Sequence, residues 1–161
     1  MLVVAIFFSL QSYSDAADKI CTKEAAIKAE NDTDTLTNWE RVYRSFKRYG
    51  HCDDGAISEG YSDKICRLLA YDWEHISGLK KLAQKDKKFT VFVIRHIDDT
   101  VKVKDIKKIF ANSIESCPAG NEALCKSIIE RICSLEKEIN DFKKETKWSI
   151  LTQKQTSQFC K

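Results

Sequence analysis

Seven cysteines, at positions 21, 52, 66, 117, 125, 133 and 160, follow an apolar leader. Together these two features constrain the chain more than any other. Residues 2–10, LVVAIFFSL, are apolar apart from Ser9, and small or polar residues come next: Ser12, Ser14, Ala16 and Ala17. This is the pattern of a secretory signal peptide, expected here over residues 1–16, although no Lys or Arg precedes the run. The run is too short to cross a bilayer, which takes about 20 apolar residues. Asp18, Lys19 and Ile20 before Cys21 do not form a lipidation box. A periplasmic or secreted protein is therefore expected, with no stable membrane anchor after cleavage.

All seven cysteines lie beyond the leader, and an exported chain pairs its cysteines as disulfides. The best local pair is Cys117–Cys125. Pro118, Ala119 and Gly120 turn the chain, and a helix starting near Asn121 brings Cys125 back. Closing so short a loop contributes about 2–3 kcal/mol. Cys21 is the preferred partner for Cys52. Cys66 and Cys133 fall near inward helix faces, where they either bridge or remain buried thiols. Cys160 is expected to be the odd cysteine. The spacings are not those of zinc sites, and His51-Cys52 stands alone, so no metal and no cofactor is expected.

One Pro and five Gly in 161 residues, among many Lys, Glu, Ile and Leu, favour helix over sheet. A single all-α domain is expected over residues 17–135, an orthogonal multi-helix bundle of short helices with one or more disulfides. No fixed period supports a repeat array. Residues 136–161 read as an exposed C-terminal helix, Glu136–Lys147, and a loosely held tail.

Within the domain, Cys21–Glu30 reads as a first helix and Asn31–Thr37 as a polar connection. Thr37 and Glu40 give a capping-box pattern. Trp39, Val42, Tyr43, Phe46 and Tyr49 then recur at i, i+3, i+4 and i+7, with Arg41, Arg44, Lys47 and Arg48 on the wet side. Gly50 is expected to end that helix as a left-handed cap. Asp53 or Asp54 starts the next, which runs to about Tyr71–Glu74, and Gly55 and Gly60 within it suggest close backbone packing. The segment FTVFVIRHI is β-branched enough for a strand, but the spacing of Phe89, Phe92, Val93, His96 and Ile97 reads as helix.

The charge balance, 27 basic against 24 acidic residues, gives only +3, with the two signs interspersed. That argues against a nucleic-acid partner, which requires a clustered basic face. The nearest cluster, Lys80, Lys81, Lys85, Lys87 and Lys88, reads as a solvated helix face.

The segment Tyr49–Leu69 is the densest in polar groups. Cys52 beside His51 is a poor nucleophile pair if Cys52 is bridged. The carboxylates lack the alternation of a calcium loop. Glu59 and Asp63, four apart, share a helix face at the reach needed for paired acid/base work. Once caps and packing glycines are set aside, His51, Glu59 and Asp63 have no structural role; these three together with Asp54 are the candidate binding residues, and no catalytic residue is assigned. The expected function is a non-enzymatic module that binds another protein. The alternative is a small hydrolase using carboxylates around Glu59.

FKRYGHCDDGAISEGYSDKICRLL, FVIRHI and SCPAGNEALC together resemble a group of small uncharacterised bacterial exported helical proteins, over about residues 25–132. The resemblance implies a compartment and a fold and supplies no catalytic residues. Small disulfide-bonded helical proteins of the periplasm often serve as inhibitors or immunity partners of secreted toxins, and an inhibitor or immunity-type binder is the class expected here.

Overall fold

The computed structural model describes residues 19–142 and 150–160, so the leader and Trp148 lie outside the described residues. The described chain is all-helical, with eight α-helices: α1 (Lys23–Thr33), α2 (Trp39–Tyr49), α3 (Gly55–Tyr71), α4 (Ile76–Lys85), α5 (Lys87–Arg95), α6 (Val103–Glu115), α7 (Glu122–Phe142) and α8 (Gln153–Phe159). The FTVFVIRHI segment is helical through Arg95, and His96 caps α5 with Ile97 in the turn beyond it.

α3 forms the middle of the bundle, packed on α1 and α6, while α6 also packs on α7. Its inward side chains Tyr61, Ile65 and Leu69 are fully buried, as are Phe89 of α5, Ile106, Ile109 and Phe110 of α6, and Ile128 and Ile132 of α7. Phe89 and Phe92 meet Tyr43, Phe46 and Tyr61 ring to ring, with centroids 4.8–5.4 Å apart. The aromatic stripe of α2 therefore belongs to the core. Buried rings of this kind contribute through their area and their tilted or edge-on geometry.

Several local readings change. Asn38, not Thr37, caps α2, its side chain accepting from Arg41 N at 3.0 Å. Gly50 is right-handed (φ −59°) and leads into a 3-10 turn over Gly50–Cys52. Its missing Cβ matters because one would lie 3.0 Å from the Phe46 ring. Gly55 has φ +51° and open space around its Cβ position, so the backbone turn explains it and close packing does not.

Gly60 does pack closely. A Cβ there would sit 2.8 Å from Thr33 Oγ1 and 3.0 Å from Thr33 Cβ, at the α1–α3 contact. Thr33 is β-branched and donates to Glu30 O at 2.7 Å, so it has little room to move. Gly60→Ala is therefore expected to lower stability by about 1–2 kcal/mol, although alanine is the better helix former by about 1 kcal/mol. Urea midpoints of wild type, Gly60→Ala and Gly60→Ala/Thr33→Ala test this. The double variant should recover most of the loss, and a Gly60→Ala midpoint at or above wild type would sink the argument.

The cysteine pairs Cys21–Cys52 and Cys117–Cys125 are present, together with Cys133–Cys160. Cys160 is thus bridged, and the odd cysteine is Cys66, a buried thiol on α3. The described part of the C-terminal region is also more firmly held than its composition suggests. α7 runs unbroken from Glu122 to Phe142. Glu136 is buried and its carboxylate accepts from Ile150 N at 2.8 Å and Leu151 N at 3.3 Å. Ile150 and Leu151 are buried, and Phe159 meets Phe110 edge-on. Sparse apolar residues are enough because the bridge and one buried carboxylate fix the returning chain. The second half of the Glu136–Lys147 expectation lies outside the described residues.

Candidate functional site

The four residues singled out by the sequence do not form one site. His51 is half-buried in the 3-10 turn. Asp54 is the N-cap of α3 and accepts from Gly55 N at 2.8 Å. Glu59 and Asp63 are exposed on α3, and the Asp63 carboxylate lies 3.8 Å from Lys64 Nζ. Neither Glu59 nor Asp63 lines any of the three clefts described for this fold.

Asp53, the neighbour set aside as a possible cap, has the more constrained surroundings. Its side chain is 2% exposed and contacts both Arg95 and the buried ring of His96. His96 Nε2 lies 3.0 Å from Asp53 Oδ1, and His96 Nδ1 lies 2.7 Å from Phe92 O. Burial, aided by the Arg95 charge, presses the imidazole down to about 4. The hydrogen bonding presses the other way. Both ring nitrogens face acceptors, and a neutral imidazole has only one N–H to give. We hold the contact geometry to be the stronger constraint, because a lone pair facing a carboxylate oxygen in so dry a place is repulsive. A proton therefore occupies the Nε2–Oδ1 contact.

Cys66 completes the group without making it a nucleophilic centre. Its thiol donates to the His96 backbone carbonyl at 3.4 Å, and burial pushes its pKa well up. Both ring nitrogens of His96 are already engaged elsewhere, so neither activates the thiol. This cluster joins the α2–α3 turn to the end of α5.

A more open feature lies between α4, α5 and the start of α7. An apolar-walled cleft of about 240 Å³ is lined by Ala83, Thr90, Leu124 and Ser127, with Lys80 at its edge and Asn121 in its wall. Asn121 is 3% exposed, and among the described residues its Oδ1 has no hydrogen-bond partner. Its Nδ2 donates to Ser77 Oγ and Pro118 O, each at 3.3 Å. Pro118 O only accepts, which fixes the amide orientation and leaves the oxygen as the unused atom. A buried acceptor without a donor costs about 1–3 kcal/mol, so it is retained at a cost.

The Cys117–Cys125 loop builds this wall. The bridge closes the turn, Gly120 takes φ +79°, and a Cβ at Gly120 would come within 3.2 Å of Lys80 Nζ. Glycine thus supplies both the left-handed turn and the room for the ammonium group. Lys81 and Lys85 on α4 and Lys87 and Lys88 on α5 are exposed. The sequence pointed to the lysines and to the SCPAGNEALC turn separately, and the fold brings one of those lysines, Lys80, to Gly120 of the turn.

Among the described residues, one group of three metal-ligating side chains occurs, Asp72, Glu74 and His75, with ligand atoms within 4.8 Å of one another. Glu74 and His75 are exposed, and His75 Nδ1 is already bonded to Asp72 Oδ1 at 2.6 Å. The arrangement reads as the ion pair of the 3-10 turn Trp73–His75. No helix among the described residues is long and apolar enough to cross a membrane. No family model, curated protein or solved structure matches the chain.

Proposed function

We propose that the protein is an exported, non-enzymatic module that binds another protein, an inhibitor or immunity-type binder, and that it docks its partner at the α4–α5–α7 cleft. Three disulfides support an oxidising compartment outside the cytosol, either the periplasm or the exterior. The observation that carries the docking reading is an apolar-walled cleft with Lys80 at its edge and Asn121 in its wall, whose buried Oδ1 has no hydrogen-bond partner among the described residues. A partner suited to this surface inserts one apolar side chain beside a hydrogen-bond donor and presents carboxylates to Lys80 and its neighbours. Complementary charge of this kind sets orientation and encounter rate, and the buried contact sets affinity. No observation on Glu59 or Asp63 favours a hydrolytic reading.

A photo-crosslinking residue placed at Gln84, on the cleft, and in a second variant at Glu59, on the opposite reading of the site, tests this in the producing cell. One defined protein adduct is expected from Gln84 and none from Glu59. Ala83→Trp, which fills the cleft, should cut the Gln84 adduct about tenfold. Adducts at Glu59 with none at Gln84 would overturn the docking site.

A further inference from the structure

A second cleft, of about 270 Å³, lies between α2 and the last turn of α1 with the segment that follows it. Arg41, Arg44 and Arg48 line it from α2, at i, i+3 and i+7, together with Asp32, Thr35 and Ser45. From these residues we infer that the cleft binds a tetrahedral oxyanion, a phosphate or sulfate group, free or carried on a small ester.

The charge is unbalanced where it converges. Among the described residues, none of the three guanidinium groups makes an ion pair with a carboxylate. Like charges three and four apart on a helix repel one another, so the arrangement costs α2 some stability. The opposite face of α2, through Trp39 and Val42, holds the helix in place regardless. Asp32 is the one acid in the lining, which leaves a net charge of +2 for the six residues.

The chemistry suits a dianion with several oxygens. Each guanidinium offers a planar fork of N–H donors that matches phosphate or sulfate geometry. A single carboxylate has too few oxygens and too little charge to engage three such forks. Ser45 adds a donor from the cleft wall. It is 2% exposed, and its Oγ lies 2.7 Å from Tyr61 Oη. Burial pushes the Tyr61 hydroxyl up to about 12, so the phenol keeps its proton. Either hydroxyl can donate in that contact, and when Tyr61 donates to Ser45 Oγ the serine hydrogen is left for an oxygen in the cleft.

Isothermal titration of the full disulfide-bonded chain at matched ionic strength tests the site, with inorganic phosphate, inorganic sulfate, acetate and chloride as probes. Phosphate and sulfate are expected to saturate one site, with acetate about tenfold weaker or worse and chloride silent. Arg44→Gln should weaken sulfate binding about tenfold, and Asp32→Asn should strengthen it severalfold, in line with the removal of one charge each. Arg67→Gln, an exposed arginine on α3, should change nothing. A glucose sulfate and a glucose phosphate then report the source: tighter binding than the inorganic ion points to an ester, equal or weaker binding to the free anion. No saturable sulfate or phosphate binding, or an equal loss in Arg44→Gln and Arg67→Gln, would overturn the site.

Discussion

Asp53→Ala is expected to lower stability by about 3 kcal/mol at neutral pH, the low end for breaking a buried pair from one side. For a domain of this size that is a fall of about 10 °C in melting temperature. The loss has two parts. His96 Nε2 is left facing no partner inside the core, and Arg95 loses the carboxylate it contacts. The variant should also become acid-sensitive. Without Asp53, burial and the Arg95 charge still press the ring below its ordinary value of 6.5, against the opposing pull of the Phe92 carbonyl and Asp98. A depressed folded value means stability that is present above the unfolded pKa and is lost as pH falls toward the folded one. The deficit relative to wild type should therefore grow as pH falls from 7 to 5. Thermal melts of both proteins across that range are the check, and an Asp53→Ala deficit that stays constant or shrinks on acidification would refute the account.

Reduction of the disulfides is the other large effect. By loop entropy, Cys21–Cys52 and Cys133–Cys160, with separations of 31 and 27 residues, contribute about 3–4 kcal/mol each. Cys117–Cys125, with a separation of 8, contributes about 2.5 kcal/mol. Together they are comparable with the whole stability of an ordinary domain, about 5–15 kcal/mol. Excess reductant is expected to abolish the cooperative melt seen by circular dichroism. Non-reducing peptide mapping should find these three linkages, with Cys66 as the one thiol, alkylated only after denaturation. A fully reduced chain that melts within about 5 °C of the oxidised one would refute the ledger.

The helices were legible because their signals are local. Trp39 to Tyr49 shows its buried face in eleven consecutive residues, and Phe89, Phe92 and Val93 show theirs in five. The two cysteine pairs nearest in function to a turn, Cys117–Cys125 and Cys21–Cys52, could be placed from the helix junctions they flank. Cys133–Cys160 could not, because the return of the chain onto α7 depends on Glu136 accepting from Ile150 and Leu151. A glutamate amid lysines gives no sign of being buried.

The same limit applies to the sites. Asp53 and His96 are 43 residues apart and acquire their meaning only from contact. Arg41, Arg44 and Arg48 were visible as a wet face, but the wall opposite them comes from Asp32 and Thr35. Asn121 read as a helix start, and nothing in its neighbours announces an acceptor without a donor. His51, Asp54, Glu59 and Asp63 stood out because they were polar and close in sequence, a criterion that finds caps and exposed faces as readily as sites.

An odd cysteine in a bridged protein is a source of scrambling, since a thiolate attacks disulfides and exchanges their partners. Cys66 is sealed against that in the folded state. It is fully buried on α3, its hydrogen is given to the His96 carbonyl, and its ionisation is suppressed by burial. Any opening that exposed α3 would release a thiol able to exchange those bridges. Burial on α3 thus keeps the one thiol of the folded chain apart from its three bridges.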